Sequence, residues 1–259
     1  MIIKDEIKKN LIEQLKMHMG TRPPFYLKFC SCKKYAEDIC NGNLYANTPI
    51  FFRQQEIKSK KRGQGDSFEL ISYIEAQKIC ILNEDDSIIF SAPGGNLKIQ
   101  FKEDDLRPIV CFVGIELSEM NFIDITETYA TFKLPFSKEE YLMMNEEFGE
   151  YCVIIGAREL EKNIRTHCIK HNTDYIFDKI EYTTQQRIDR IQAFNMGSKT
   201  RFLYKNEDLS YQREYRFVAA YQMPCDHYIK IGRLTETKII KSSELKNIVL
   251  RIDYVLKQF

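Results

Sequence analysis

The sequence predicts an α+β fold, with a mixed, mainly antiparallel sheet flanked by helices. Three observations lead there. "IVCFVGIEL" and "YCVIIGA" are near-continuous apolar runs of strand length, as central buried strands require. "SKEEYLMMNEEFGE" and "RELEKNIRTHCIKHN" have the mixed character of flanking helices. The chain's 259 residues, 44% hydrophobic and 29% charged, suffice to bury a globular core. Residues 1–20 are expected as an N-terminal amphipathic helix and residues 21–259 as a single α+β domain, with no repeat, low-complexity tract or linker.

In chain order, residues 2–18 place Ile3, Ile7, Leu11, Leu15 and His18 on one helical face, and Gly20 stops the run. "FYLKFC" is a short strand. Ser31 caps a helix buried through Tyr35, Ile39 and Cys40, and Gly42 ends it. "LYANTPIFF" reads as a strand interrupted at Pro49, which has no N–H for a ladder. Residues 53–67, "RQQEIKSKKRGQGDS", read as a charged loop. "FELISYIEAQKICIL" and "SIIFSAPGGNLKIQF" make a β-rich middle with turns at "NEDD" and "APGGN". Ser137 and Glu140 form a capping box ahead of a helix. "YIFDKIEYT" is a strand and "TQQRIDRIQAF" a short helix. "QREYRFVAAY", "HYIKIG" and "NIVLRID" are closing strands.

Charge narrows the function classes. Lys plus Arg is 38 and Asp plus Glu 37, so no bulk field draws the chain to nucleic acid or an anionic membrane. Only "KSKKRGQG" is locally basic; it is a solvated loop or a contact to phosphates. No apolar run reaches the roughly 18 residues of a spanning helix, and the first 20 residues are not a secretory signal. Eight cysteines without an export signal are expected as reduced thiols in a cytoplasmic protein.

Motif by motif, most chemistry falls away. His167 and His171 share a helical face but lack an upstream Cys-x-x-Cys and a zinc-protease Glu, so no metal site is assigned. Cys80, Cys111 and Cys152 sit in apolar runs as small core residues. "APGGN" and "GQGD" lack the remaining residues of a phosphate loop.

Three fragments belong together: "FYLKFCSCKKYAEDICNGNLYANTPIFF", "GQGDSFEL" and "YKNEDLSYQREYRF". Their order resembles a bacterial family with a Tyr-x-Lys/Arg-Phe strand, a "G-x-LY-x-x-x-P-x-x-F" segment, an Asp-Pro-Phe-Glu-like loop and a late Glu-x-Arg strand. Here Ser67 stands at the loop's Pro position. That family in turn resembles the ADP-ribosyltransferase superfamily. The resemblance implies an ADP-ribosyltransferase-like fold and NAD as substrate, with Lys28 from the first strand, Tyr45, Asn47 and Thr48 from the second, and Glu214 as the late-strand acid. It also implies a macromolecular acceptor and a toxin or anti-phage role. Lys28 stands where the superfamily has Arg or His, and a single Glu followed by Arg216 replaces its doubled Glu.

Breaking the nicotinamide–ribose bond passes through an oxocarbenium-like centre that a carboxylate stabilises, the role open to Glu214. Tyr26, Tyr45 and Tyr211 are candidates to stack on the rings, and Lys28 or Arg62 to take the pyrophosphate. Asp66, Glu69 and Arg216 complete the expected binding set. Two alternatives stay open: a metal-dependent nuclease using Asp66, Glu69 and Glu214, or a non-catalytic nucleotide-sensing module. Against all three stands the reading of Glu214 as an edge-strand charge paired with Arg213 or Arg216.

Overall fold

The computed structural model describes residues 22–59, 63–126 and 128–253, together with Lys9, Glu13, Gln14 and Met17, which are helical. The rest of the helix expected over 2–18 lies outside the described residues.

A six-stranded sheet organises the chain. Its strands are β1 (Phe25–Cys30), β2 (Ile109–Gly114), β3 (Tyr151–Gly156), β4 (Tyr175–Lys179), β5 (Glu214–Ala219) and β6 (Thr237–Lys241). They run in the order β4-β5-β2-β1-β3-β6, and every neighbouring pair is antiparallel. The side-chain period of two gives each strand two faces. On one face Tyr26, Phe112, Val153, Ile155 and Phe217 pack against α1 (Lys33–Cys40) and, further along, Ala157–Lys170, through Ala36, Ile39, Leu160 and Ile164. On the other, Leu27, Val113 and Cys152 meet Met144 and the strands Tyr129–Lys133 and Val249–Asp253. Ile109 and Val218 meet Phe194 and Phe202 beside them.

The chain is mixed α and β with antiparallel sheets, as the apolar runs implied. Two elements differ from the sequence reading. Pro49 does not end a strand. It opens helix α2 (Pro49–Ser59), where its missing N–H costs nothing, and Thr48 Oγ1 accepts from Phe51 N at 3.3 Å. The loop expected from residue 53 is therefore helical to Ser59. Cys32, not Ser31, is the N-cap of α1, and it makes no side-chain cap bond. The remaining helices are α3 (Lys138–Phe148), α4 (Ala157–Lys170) and α5 (Ile188–Asn195). The Ser137–Glu140 capping box at the start of α3 forms as expected.

One irregularity positions the site. β1 and β2 pair only at Tyr26–Gly114 and Leu27–Val113, then splay apart. At the open end Asn47 exchanges both backbone bonds with Ile109, at 3.1 and 2.8 Å. In the gap between, Lys28 Nζ donates to the Cys111 carbonyl at 2.6 Å, giving a donor to an acceptor the forked ladder leaves without one. At the closed end a side chain at position 114 would meet the Tyr215 ring at 2.3 Å, so only glycine fits.

A second feature stands away from the sheet. Strands Ser72–Glu75 and Asn96–Ile99 continue through Ala76–Gly95 and Gln77–Gly94 backbone bonds into strands Lys78–Leu82 and Ile88–Pro93. This two-stranded ribbon is the β-rich middle foreseen in the sequence. It lies outside the sheet core, and the strand Lys78–Leu82 is exposed along its whole length.

Candidate functional site

The fork opens onto a cleft of about 310 Å³. Phe51, Phe52 and Gln55 of α2 and Met144, Glu147 and Phe148 of α3 line it, with β1 and β2 alongside and the turn Gly63–Asp66 beside them. Seven residues singled out in the sequence reach it: Lys28, Tyr45, Asn47, Asp66, Glu69, Glu214 and Arg216. Three segments far apart in the chain thus meet at one place.

Glu214 is not an edge charge. β5 lies between β4 and β2, and the alternation that sends Tyr215 and Phe217 into one core turns Glu214 and Arg216 to the opposite face. Arg216 is fully buried. Its Nη1 and Nη2 fork onto Glu69 at 2.6 and 3.1 Å, its Nε donates to Glu214 Oε1 at 2.8 Å, and Nη1 also reaches the Phe202 carbonyl at 2.9 Å. Lys205 Nζ donates to Glu214 Oε2 and to Gln212 Oε1, both at 2.8 Å. Gln212 Nε2 ties the group to the Gly63 carbonyl at 2.9 Å. Glu214 is 3% exposed and Glu69 2%, so water screens little of this network.

Burial alone would raise the Glu214 carboxyl, but Arg216 and Lys205 beside it hold it well below the usual carboxylate range. It is ionised at neutral pH. Glu69 goes the other way: burial pushes it up, Asp66 and Glu214 add to that, and Arg216 only partly offsets them. Lys205 is raised because Glu214 and Glu69 outweigh its own burial. Cys111 lines the cleft, yet burial and the neighbouring Glu214 push its thiol up to about 12, so it stays protonated and is no nucleophile.

The other expected site residues fall elsewhere. Tyr26 lies in the opposite core, packed on Phe112 and Phe177, and donates its hydroxyl to Glu161 at 2.9 Å. Thr48 is buried at the start of α2 and does not line the cleft. Tyr211 does not line it either, although its hydroxyl donates to Glu147 at 2.6 Å and Glu147 does. Arg62 lies outside the described residues. Arg213 turns away in a left-handed conformation, toward Glu119. Lys205, Gln212, Glu147 and the phenylalanine walls escaped the sequence reading. Lys205 sits in "FLYK", where a lysine after three apolar residues was the one available signal.

Two details bear on what the cleft takes. Tyr45 is half exposed and stacks on His227, with ring centres 5.7 Å apart. Asn47 Oδ1 is buried without a hydrogen-bond donor, although its backbone is fully engaged. Among the described residues lining the cleft, Asp66, Glu69, Glu147 and Glu214 face Lys28, Lys205 and Arg216, and Arg190 nearby acts on Asp66 and Glu69.

Metal chemistry finds no matching geometry. No group of three His, Cys, Asp or Glu among the described residues is placed to hold an ion. Arg216 occupies both Glu69 and Glu214, which the nuclease alternative needs as ligands. His167 bonds the Lys230 carbonyl at 3.0 Å and the Tyr221 hydroxyl at 3.2 Å, so both ring nitrogens are taken. No helix among the described residues is long and apolar enough to cross a membrane.

Fold and site define a forked antiparallel sheet with an aromatic-walled cleft over a buried charge network. Comparison with known protein families, curated proteins and solved structures finds no match.

Proposed function

We propose that the cleft binds a nicotinamide dinucleotide of the NAD type and cleaves its glycosidic bond, as an ADP-ribosyltransferase or NAD glycohydrolase does. The observation that carries this reading is that Glu214 shares one cleft with Lys28, Tyr45 and Asn47. A cationic nicotinamide ring suits aromatic walls at Tyr45 and Phe51 beside the carboxylates of Asp66 and Glu147. Glu214 already accepts from Lys205, Arg216 and the Cys111 thiol, which leaves it one further acceptor direction for a ribose hydroxyl. The bond from C1′ to the nicotinamide nitrogen breaks, its electron pair leaves with neutral nicotinamide, and water or an acceptor nucleophile attacks C1′. Lys28, already fixed on the Cys111 carbonyl, has further N–H groups for a phosphate oxygen. A toxin or anti-phage role follows from the family resemblance alone.

A second reading is a nucleotide-binding module without turnover. The observation favouring it is that two cations neutralise Glu214, which weakens its field at a developing positive centre. One experiment separates the two. Incubation with NAD is followed by chromatography of released nicotinamide, in parallel with a thermal shift for binding. Release that disappears in Glu214→Gln, with the variant still folded and still shifted by NAD, is expected. Shift without release leaves the binding module, and neither effect refutes both.

A further inference from the structure

We propose that a second hollow beside the cleft seats the adenosine half of the dinucleotide, and that a strip of aromatic rings carries the ligand from one to the other. The assignment rests on the NAD reading of the cleft and adds where the remainder of the substrate lies. At about 310 Å³ the cleft is at the small end of the ~300–1,000 Å³ of small-molecule sites, and a dinucleotide is two nucleotides joined through their phosphates. A nicotinamide riboside in the cleft leaves the adenine half to be seated outside it. The strip begins at the cleft wall. Strand Asn43–Tyr45 pairs with Tyr228–Lys230, setting Leu44 opposite Ile229 and Tyr45 opposite Tyr228. Leu44 and Ile229 are buried, so alternation turns Tyr45 and Tyr228 to the other face, edge to face with ring centres 5.5 Å apart. His227 lies flat on Tyr45 from a left-handed backbone, φ 61°; its Nδ1 reaches the Ala46 carbonyl at 3.4 Å, and Nε2 is left for a ligand. Tyr45 lines the cleft and Tyr228 the second hollow, of about 300 Å³, so this one ring pair separates the two.

The walls of the hollow select a base. They are His167, His171, Tyr221, Pro224 and Tyr228, closed by Lys230. Positions 167 and 171 are one helical turn apart, and their ring centres are 4.4 Å from each other. A carbonyl can only accept, so His167 Nδ1 donates to Lys230 O and Nε2 accepts from the Tyr221 hydroxyl. That fixes His167 as a neutral wall, and burial holds its titration below the ordinary histidine value. His171 is exposed and makes no side-chain hydrogen bond among the described residues, so its ring is open to stack on a heterocycle and to bond its edge. Lys230 is already paired with Asp226 at 3.1 Å. Planar walls with their charge balanced suit an uncharged purine better than a phosphate, which Lys28 and His227 meet on the way.

The test reads the histidine rings of the full chain. There are four, His18, His167, His171 and His227, so the aromatic ¹H–¹³C spectrum holds four sets of ring signals, assigned with single His→Ala variants. The probe is carba-NAD, in which a methylene replaces the nicotinamide ribose ring oxygen so that the bond survives. It is expected to shift the His167, His171 and His227 signals, whereas nicotinamide mononucleotide, without the adenosine half, leaves His167 and His171 in place. His171→Ala is expected to weaken carba-NAD binding roughly ten-fold in isothermal titration, with mononucleotide affinity and melting temperature unchanged, since its side chain is exposed. Carba-NAD that binds while His167 and His171 stay unshifted overturns this assignment and leaves the cleft reading standing. So does an equal shift by the mononucleotide, or an affinity indifferent to His171→Ala. A wild type that binds no carba-NAD overturns both.

Discussion

Replacing Arg216 with methionine tests whether the charge network under the cleft is as desolvated as its geometry implies. Arg216 is the shared donor of that network, forking onto Glu69, reaching Glu214 and bonding the Phe202 carbonyl. Methionine fills similar space but leaves Glu69 without its cation, Glu214 with Lys205 alone and the carbonyl short of a donor. Removing one partner of a buried ion pair costs about 3–5 kcal/mol, and here two carboxylates lose theirs, so the expected loss is at the upper end, about 5 kcal/mol. Against a total stability of ~5–15 kcal/mol that is a third or more. Urea unfolding at pH 7 measures it. A double variant, Arg216→Met with Glu69→Gln, is expected to recover about 2 kcal/mol, because the stranded carboxylate is gone. A loss below about 1 kcal/mol, with no recovery, would place the network in contact with water and refute the reasoning.

Two more predictions concern the same floor. Glu214 has a folded-state carboxyl held below its unfolded value of about 4.3, so its stabilisation is present above that value and lost as pH falls. The stability advantage of wild type over Glu214→Gln is therefore full above about pH 5 and shrinks below it, by at most ~1.4 kcal/mol per pH unit. Glu69, raised by burial, has the opposite sign but is present in both proteins and largely cancels in the difference. Paired urea titrations at several acidic pH values check this, and a pH-independent difference would contradict it. On the proposed reading, Asn47→Ala is expected to weaken NAD binding by about 1–2 kcal/mol, roughly ten-fold, because Asn47 Oδ1 is a buried acceptor without a protein donor. Thermal stability should stay near wild type, since the Asn47 bridge to Ile109 is made by backbone atoms. Isothermal titration with NAD separates the two effects, and unchanged affinity would remove Asn47 from the site.

How much of this could be read from the chain depends on the range of the interaction. β2 and β3 were legible because a strand buried on both faces is apolar at every step, and the α3 capping box because it is local. β6 was missed: "TKIIK" has too few apolar residues to stand out, and its pairing with β3 is a tertiary fact. Pro49 was misread because the same residue can end a strand or open a helix, and Thr48 decides through a side-chain bond the sequence does not display. Grouping Lys28, Tyr45, Asn47 and Glu214 came from recurring fragments. Alternation puts Tyr26 and Lys28 on the same face of β1; only the fork, which lets the longer Lys28 side chain reach the Cys111 carbonyl, separates them, and the fork is a tertiary fact. Lys205 left one weak sign, a lysine after three apolar residues, because a buried lysine is defined chiefly by the partners that fold around it.

The network also explains why a Glu and an Arg two residues apart are useful on this strand. A carboxylate buried alone at position 214 would take up a proton, and a neutral acid offers the cleft a donor as readily as an acceptor. Arg216, on the same face by the period of two, keeps it charged, and Lys205 does so from a different segment. Both cations also cancel most of the negative field that Glu214 projects into the cleft. What remains is direction: a carboxylate whose oxygens are fixed by Arg216, Lys205 and the Cys111 thiol. On the proposed reading, positive charge developing above that floor would be met in part by Glu147 and by Asp66, although Arg190 already acts on Asp66. On that proposed reading Glu214 would position the sugar, and Glu147 and Asp66 would supply part of the field.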